Sequence, residues 1–136
     1  MIWMLDTDTI AYLVNRAAGH ERIKRRLSGR SPGEIRVSAI TLAELYYGFA
    51  LGNVSVERTQ TFRDLLDLFQ LEDFPVSAVQ EYGEIQATFE HAGRKIGPYD
   101  LLIAAHARHI GAVLVTNNER EFRRVPGLSV QNWLKA

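Results

Sequence analysis

The chain has 136 residues, 46% hydrophobic and 24% charged, with sixteen Lys and Arg balancing sixteen Asp and Glu. Such a chain suits one globular domain spanning residues 1–136, able to bury about two-thirds of its unfolded surface, and argues against disorder. With no cysteine, it has no disulfide scaffold, thiol nucleophile or cysteine zinc site, and it fits a reducing compartment, so the cytoplasm is the expected location. No apolar run approaches the ~20 residues of a bilayer span, so no membrane is expected. The start, Met1 to Asp6, lacks a basic region and reads as no signal peptide.

In chain order, Ile2–Leu5 is a short apolar run ending at an acid, the pattern of a buried strand. Thr9–Arg16 and Glu21–Leu27 are predicted helices, broken around Ala18, Gly19 and His20. A turn cluster at Ser28–Gly33 precedes a second strand, Ile35–Ser38. Leu42–Ala50 is a helix ended near Gly52 and Asn53. Val56–Phe69 is amphipathic, with Phe62, Leu65, Leu66 and Phe69 at helical spacing. Leu71–Val76 reads as a third strand weakened by Pro75. Two helices follow, Ser77–Ala92 and Pro98–His109, ended by Gly93 and Gly111. Ala112–Val115 is an apolar strand, Glu119–Arg124 a short helix and Leu128–Trp133 a last strand.

Strands alternating with helices point to an α/β domain with a mainly parallel sheet covered on both faces. Ligand sites in such sheets lie beyond the carboxyl ends of the strands, near the topological switch point. Asp6, Thr7 and Asp8 follow the first strand. Ser38 to Glu44 follow the second. Thr116, Asn117, Asn118 and Glu121 follow the strand at 112–115. Asp100 lies in the first turn of the alanine-rich helix. On one sheet edge, four carboxyl positions would share a cleft.

Each acid also has a structural reading. Asp8 suits an N-cap. Thr41 with Glu44, and Asn118 with Glu121, fit capping boxes. Pro98 at the first helical position puts Asp100 third, where the helix dipole favours an acid. Asp6 resists such a reading, because an unpaired carboxylate at the end of a buried strand costs several kcal/mol of order. Clustered carboxylates raise one another's pKa, a penalty that a divalent cation removes. Oxygen-only ligands suit Mg²⁺ or Mn²⁺, which can supply a nucleophilic water and steady the charge on a phosphorane-like transition state.

Charge is uneven along the chain. Residues 1–30 carry six cations, Arg16, Arg22, Lys24, Arg25, Arg26 and Arg30, against three acids, whereas residues 57–90 carry eight acids and two arginines. A basic patch beside an acidic metal cluster implies phosphodiester hydrolysis, although a solvated helix face is the plainer reading of the cations. Segments Arg16–Arg30 and Arg120–Arg124 are the expected flanks of the cleft. Tyr46 and Tyr47 suit base stacking or an interface, and the Phe62–Phe69 face suits a core or a partner surface. His20, His91, His106 and His109 form no HExxH, and no dinucleotide, P-loop or GxSxG motif is present.

Together, Met4–Asp8, Ser38–Gly48, Ile96–Ala107 and Leu114–Phe122, with Val125–Leu128 behind, resemble the PIN domain, and more narrowly the VapC-type ribonuclease toxins of toxin–antitoxin pairs. The resemblance runs from about residue 2 to residue 133. It implies a three-layer α/β/α sandwich and a Mg²⁺- or Mn²⁺-dependent endoribonuclease acting on tRNA or other structured RNA. It further implies a homodimer and a VapB-type antitoxin that blocks the acidic cleft within a larger complex. By the same resemblance Asp6 and Asp100 are the primary metal ligands, Glu44 completes the cluster and Glu121 is the fourth catalytic acid. Asn118, Thr7, Thr116 and Asp8 support them, and Arg22, Lys24, Arg25, Arg26 and Arg120 contact RNA. Two rivals remain: a HAD-like phosphatase, because Asp6-Thr7-Asp8 resembles its Asp-x-Asp loop although Ile10 stands where that family has threonine, and a PIN fold used only for binding.

Overall fold

A computed structural model describes residues 1–135. Five strands form one sheet: β1 (Trp3–Leu5), β2 (Ile35–Ser38), β3 (Gln70–Glu72), β4 (Val113–Val115) and β5 (Ser129–Gln131). Seven helices connect them: α1 (Thr7–Asn15), α2 (His20–Leu27), α3 (Ala39–Ala50), α4 (Val56–Leu68), α5 (Val79–His91), α6 (Pro98–His109) and α7 (Glu119–Phe122). The strand order is β3-β2-β1-β4-β5 and every pairing is parallel. The expected parallel sheet is therefore present, and parallel throughout.

Side-chain alternation along the strands builds the layers. Trp3, Leu5, Ile35, Val37, Val113 and Val115 point into a core shared with Ile10 and Leu13 of α1, Ile23 of α2, Leu45 of α3 and Phe62 of α4. Met4 and Leu114 point the other way, into a core with Ile85 and Phe89 of α5, Ile103 and Ala104 of α6, and Phe122 of α7. Both sides of β1 and β4 are dry, which explains their continuous apolar runs. Full burial of each large side chain contributes roughly 1.5–3 kcal/mol.

Winding decides where a ligand can sit. The chain steps outward from β1 to β2 to β3, then crosses back through α5 and α6 to place β4 on the far side of β1. The direction reverses between β1 and β4, so the carboxyl ends of those strands flank the crevice of a doubly wound sheet.

Several element boundaries differ from the sequence reading. Helix α1 starts at Thr7 because Asp6, not Asp8, is its N-cap, accepting from the Thr9 backbone N–H at 2.9 Å. Helix α3 starts at Ala39, where the Ser38 hydroxyl accepts from the Ile40 N–H at 3.1 Å, so Glu44 lies within the helix rather than closing a capping box with Thr41. Asn118 is the N-cap of α7 but makes no side-chain cap bond with that helix. The third strand is only Gln70–Glu72, an edge strand paired with β2, and Pro75 lies beyond its end, where it lacks an N–H to extend the ladder. Phe62 and Phe69 are buried and Leu65 and Leu66 pack against the same core, so that stripe holds the fold together. Among the described residues no helix is long and apolar enough to cross a membrane.

Candidate active site at the carboxyl ends of the strands

Asp6 leaves β1 directly into the crevice. Its backbone N–H donates to the Val115 carbonyl at 3.0 Å, which ties it to the end of β4. The Thr9 hydroxyl donates to the same carbonyl at 3.1 Å. Asp6 is only 3% exposed. Burial pushes its carboxyl up to about 6, against opposing hydrogen bonds from Thr116 and Thr9, and the charge of Asp8 adds to the rise.

Asp100 is the third residue of α6, behind Pro98, and is half-buried. Burial pushes its carboxyl up to about 6, and the charges of Glu44, Asp6, Asp8 and Glu121 add to the rise in that order. Five carboxylates from four separated segments therefore share one electrostatic field. The α6 N-terminus favours the ionised form, but burial and like charge outweigh it here.

Glu44 is oriented across the cleft. The Thr7 hydroxyl donates to its Oε1 at 2.5 Å, joining α1 to α3. Thr116 is buried after β4, and its hydroxyl accepts from the Asn118 N–H at 2.9 Å, fixing the turn that leads to Glu121. Glu121 is half-buried and lies 4.0 Å from the Arg124 guanidinium. Asp8 is exposed in the first turn of α1.

The basic candidates separate into two groups. Arg22 donates to the Leu134 carbonyl at 2.8 Å. The Arg26 guanidinium lies 5.5 Å from the Trp133 ring, and Arg30 lies 3.9 Å above the Trp3 ring. Trp3 opens β1, so Arg30 stands at the amino end of the sheet, opposite the acids. Lys24, Arg25 and Arg120 are exposed, and none has an ion-pair partner among the described residues. Thr9 and Ser38 are structural supports that sequence reasoning passed over. The signal for Ser38 was present, a hydroxyl between a strand and a helix.

The donor set is all oxygen. Asp6, Asp8, Glu44 and Asp100 have no cationic partner within 4.0 Å among the described residues. No three acids or histidines among these residues lie close enough to ligate one ion directly. Mg²⁺ usually takes one or two carboxylates and keeps several waters, so an uncompensated carboxylate rim of this kind fits a hydrated divalent cation.

A family model for the PIN domain matches residues 3–128. The ribonuclease VapC2 of Rickettsia felis is 36% identical over 135 residues, covering 99% of this chain and 100% of that protein. The tRNA(fMet)-specific endonuclease VapC of Shigella flexneri is 32% identical over 131 residues, covering 96% of this chain and 97% of that protein. Among solved structures, the DNA-bound VapBC complex of Salmonella typhimurium contains a chain that superposes with a TM-score of 0.88 at 32% identity, covering 98% of each chain. The chain therefore belongs to the PIN-domain family and, within it, to the VapC ribonucleases.

Proposed function

We propose that this chain is the toxin of a toxin–antitoxin pair, an endoribonuclease that hydrolyses RNA phosphodiester bonds with Mg²⁺ or Mn²⁺ and is silenced by a VapB-type antitoxin. The observation that carries the reading is Asp100, a half-buried carboxyl raised first by burial and then by the charges of four other carboxylates, beside the β1/β4 switch point. A relative named for tRNA(fMet) favours tRNA as substrate, and a relative solved as a DNA-bound VapBC complex favours an antitoxin partner and a larger assembly.

Asp6 and Asp100 would hold the cation, with Glu44 beside them. A divalent ion there supplies an activated water and neutralises charge developing on the phosphate. The chain's own part is orientation. Thr9 and Thr116 hold Asp6, Thr7 aims Glu44, and the Thr116–Asn118 turn presents Glu121. Asp6 and Asp100 are ionised at neutral pH, as metal ligands must be. Lys24, Arg25 and Arg120 remain available for phosphates, while Arg22 and Arg26 also brace the C-terminal segment.

Purified chain is incubated with total RNA and with isolated tRNA in Mg²⁺, Mn²⁺ or EDTA, and the new ends are mapped. Cleavage with either ion, lost in EDTA and in Asp6→Asn and Asp100→Asn, supports the proposal. No cleavage with either ion, in a chain that still binds an antitoxin, supports the binding-module reading. A phosphorylated Asp6 after incubation with phosphate esters supports the phosphatase.

A further inference from the structure

Three tyrosines on α3 and α6 are exposed, and they are not equivalent. The Tyr46 ring packs edge-on against Phe62 with centroids 5.4 Å apart, so it has a structural partner. Tyr47 and Tyr99 are 67% and 57% exposed and have no aromatic partner or side-chain hydrogen bond among the described residues. Both line one cavity of about 410 Å³ together with Thr7, Ala43 and Glu44. Tyr47 lies one turn beyond Glu44 on α3, and Tyr99 immediately precedes Asp100 on α6. Two unengaged aromatic rings thus share one cavity whose wall includes the rim carboxylate Glu44, and one of them is the sequence neighbour of Asp100.

The rim creates a difficulty for its own substrate. A phosphate chain approaching five carboxylates is repelled. Uncharged attraction close to the reacting bond avoids that repulsion, and aromatic rings supply it, because every nucleobase has a π-face that stacks on them. Bases in a duplex have both faces covered, whereas bases in loops can be splayed out and stacked on protein. The cavity volume falls within the range of small-ligand pockets.

We propose that Tyr47 and Tyr99 form a stacking subsite that holds an unpaired nucleobase of the RNA beside the scissile phosphate. The inference rests on the ribonuclease reading for its substrate, and binding tests it separately from cleavage. The subsite adds affinity without adding charge. It confines cutting to single-stranded segments and sets which nucleotide lies next to the carboxylates.

The experiment titrates the full chain, in EDTA, with a fluorescent single-stranded oligoribonucleotide, and measures KM and kcat for the same strand in Mg²⁺. Tyr47→Ala and Tyr99→Ala are expected to weaken binding and raise KM about tenfold or more, with kcat held. Tyr47→Phe and Tyr99→Phe recover most of that loss, because the ring rather than the hydroxyl stacks. An oligonucleotide lacking the base next to the cut binds wild type as weakly as the intact strand binds the alanine variants. Alanine variants that bind the intact strand as tightly as wild type overturn the subsite, even if the chain cuts RNA. Ring-dependent binding without any cleavage overturns the hydrolase reading and leaves the subsite standing. Alanine variants that lose a dimer in mass measurements while binding RNA normally assign the rings to a protein interface, and also overturn it.

Discussion

His106 Nδ1 lies 2.8 Å from Ser38 Oγ, and both residues are fully buried. The same Ser38 oxygen accepts the Ile40 N–H that starts α3. One hydroxyl therefore connects the helix carrying Glu44 to the helix carrying Asp100. Phe74 closes edge-on over the imidazole at 5.3 Å, and His106 Nε2 has no hydrogen-bond partner among the described residues. With Nδ1–H donating to Ser38, only a lone pair is left without a partner, which costs less than an orphaned donor.

His106→Ala removes that link and opens a cavity. A loss of about 2–4 kcal/mol is expected by urea denaturation. Burial holds the His106 pKa below its ordinary value. The unfolded chain therefore binds a proton here that the folded chain resists, so this residue's contribution to stability declines as pH falls below about 6.5. His106→Asn, which keeps a donor near the Nδ1 position, should remove the pH effect while recovering part of the stability.

Thr7 should matter to rate more than to folding. It is half-buried, and its hydroxyl donates to Glu44. Thr7→Val keeps the shape and loses the donor. Cleavage is expected to fall roughly tenfold or more, the scale of a hydrogen bond to a charged group, with melting close to that of wild type. Thr7→Ser should restore the rate. Unchanged kcat in Thr7→Val would remove Glu44 orientation from the account.

Asp6→Asn should stabilise the metal-free chain at neutral pH. The folded carboxyl titrates near 6 and the ordinary value is 3.8. The folded state therefore binds the proton more tightly, and wild type loses stability as pH rises from about 4 to about 6. The cost is complete above that window, on the order of 3 kcal/mol. Asparagine keeps the cap on Thr9 and carries no charge. Its advantage should vanish at pH 4 and reverse in saturating Mg²⁺, which stabilises only the chain that binds it. Denaturation of both proteins at pH 4 and pH 7.5 checks the sign.

Arg30 offers a contrast from the other end of the sheet. Its guanidinium sits 3.9 Å above Trp3 and 5.5 Å from Trp133. Arg30→Ala should cost roughly 1 kcal/mol, a cation–π contact plus its packed stem. RNA cleavage should stay within twofold of wild type, because Trp3 opens β1 while the acids follow its end. A cleavage defect with normal melting would return this arginine to the RNA path.

Much of this was legible along the chain because the physics there is local. Apolar runs at Ile2–Leu5 and Ala112–Val115 imply strands covered on both faces, and acids just beyond such strands imply a site at the sheet edge. Pro98 before Asp100 places that carboxylate in a first helical turn, where the structure has it. The family motifs name Asp6, Glu44, Asp100 and Glu121, and the charges of the other three all reach Asp100.

Tertiary structure decided which local option each residue takes. Asp6 and Asp8 both suit a cap, and Asp6 holds it because its backbone is pinned to Val115 of β4. Glu44 fits a capping box by spacing, yet it turns to Thr7, a partner distant in sequence. The cations from Arg16 to Arg30 read as one basic patch, but Arg30 stacks over Trp3 at the amino end of β1 and Arg26 turns to Trp133. Spacing encodes contacts three or four residues apart; partners a hundred residues apart are set by the order of strands, which no local pattern records.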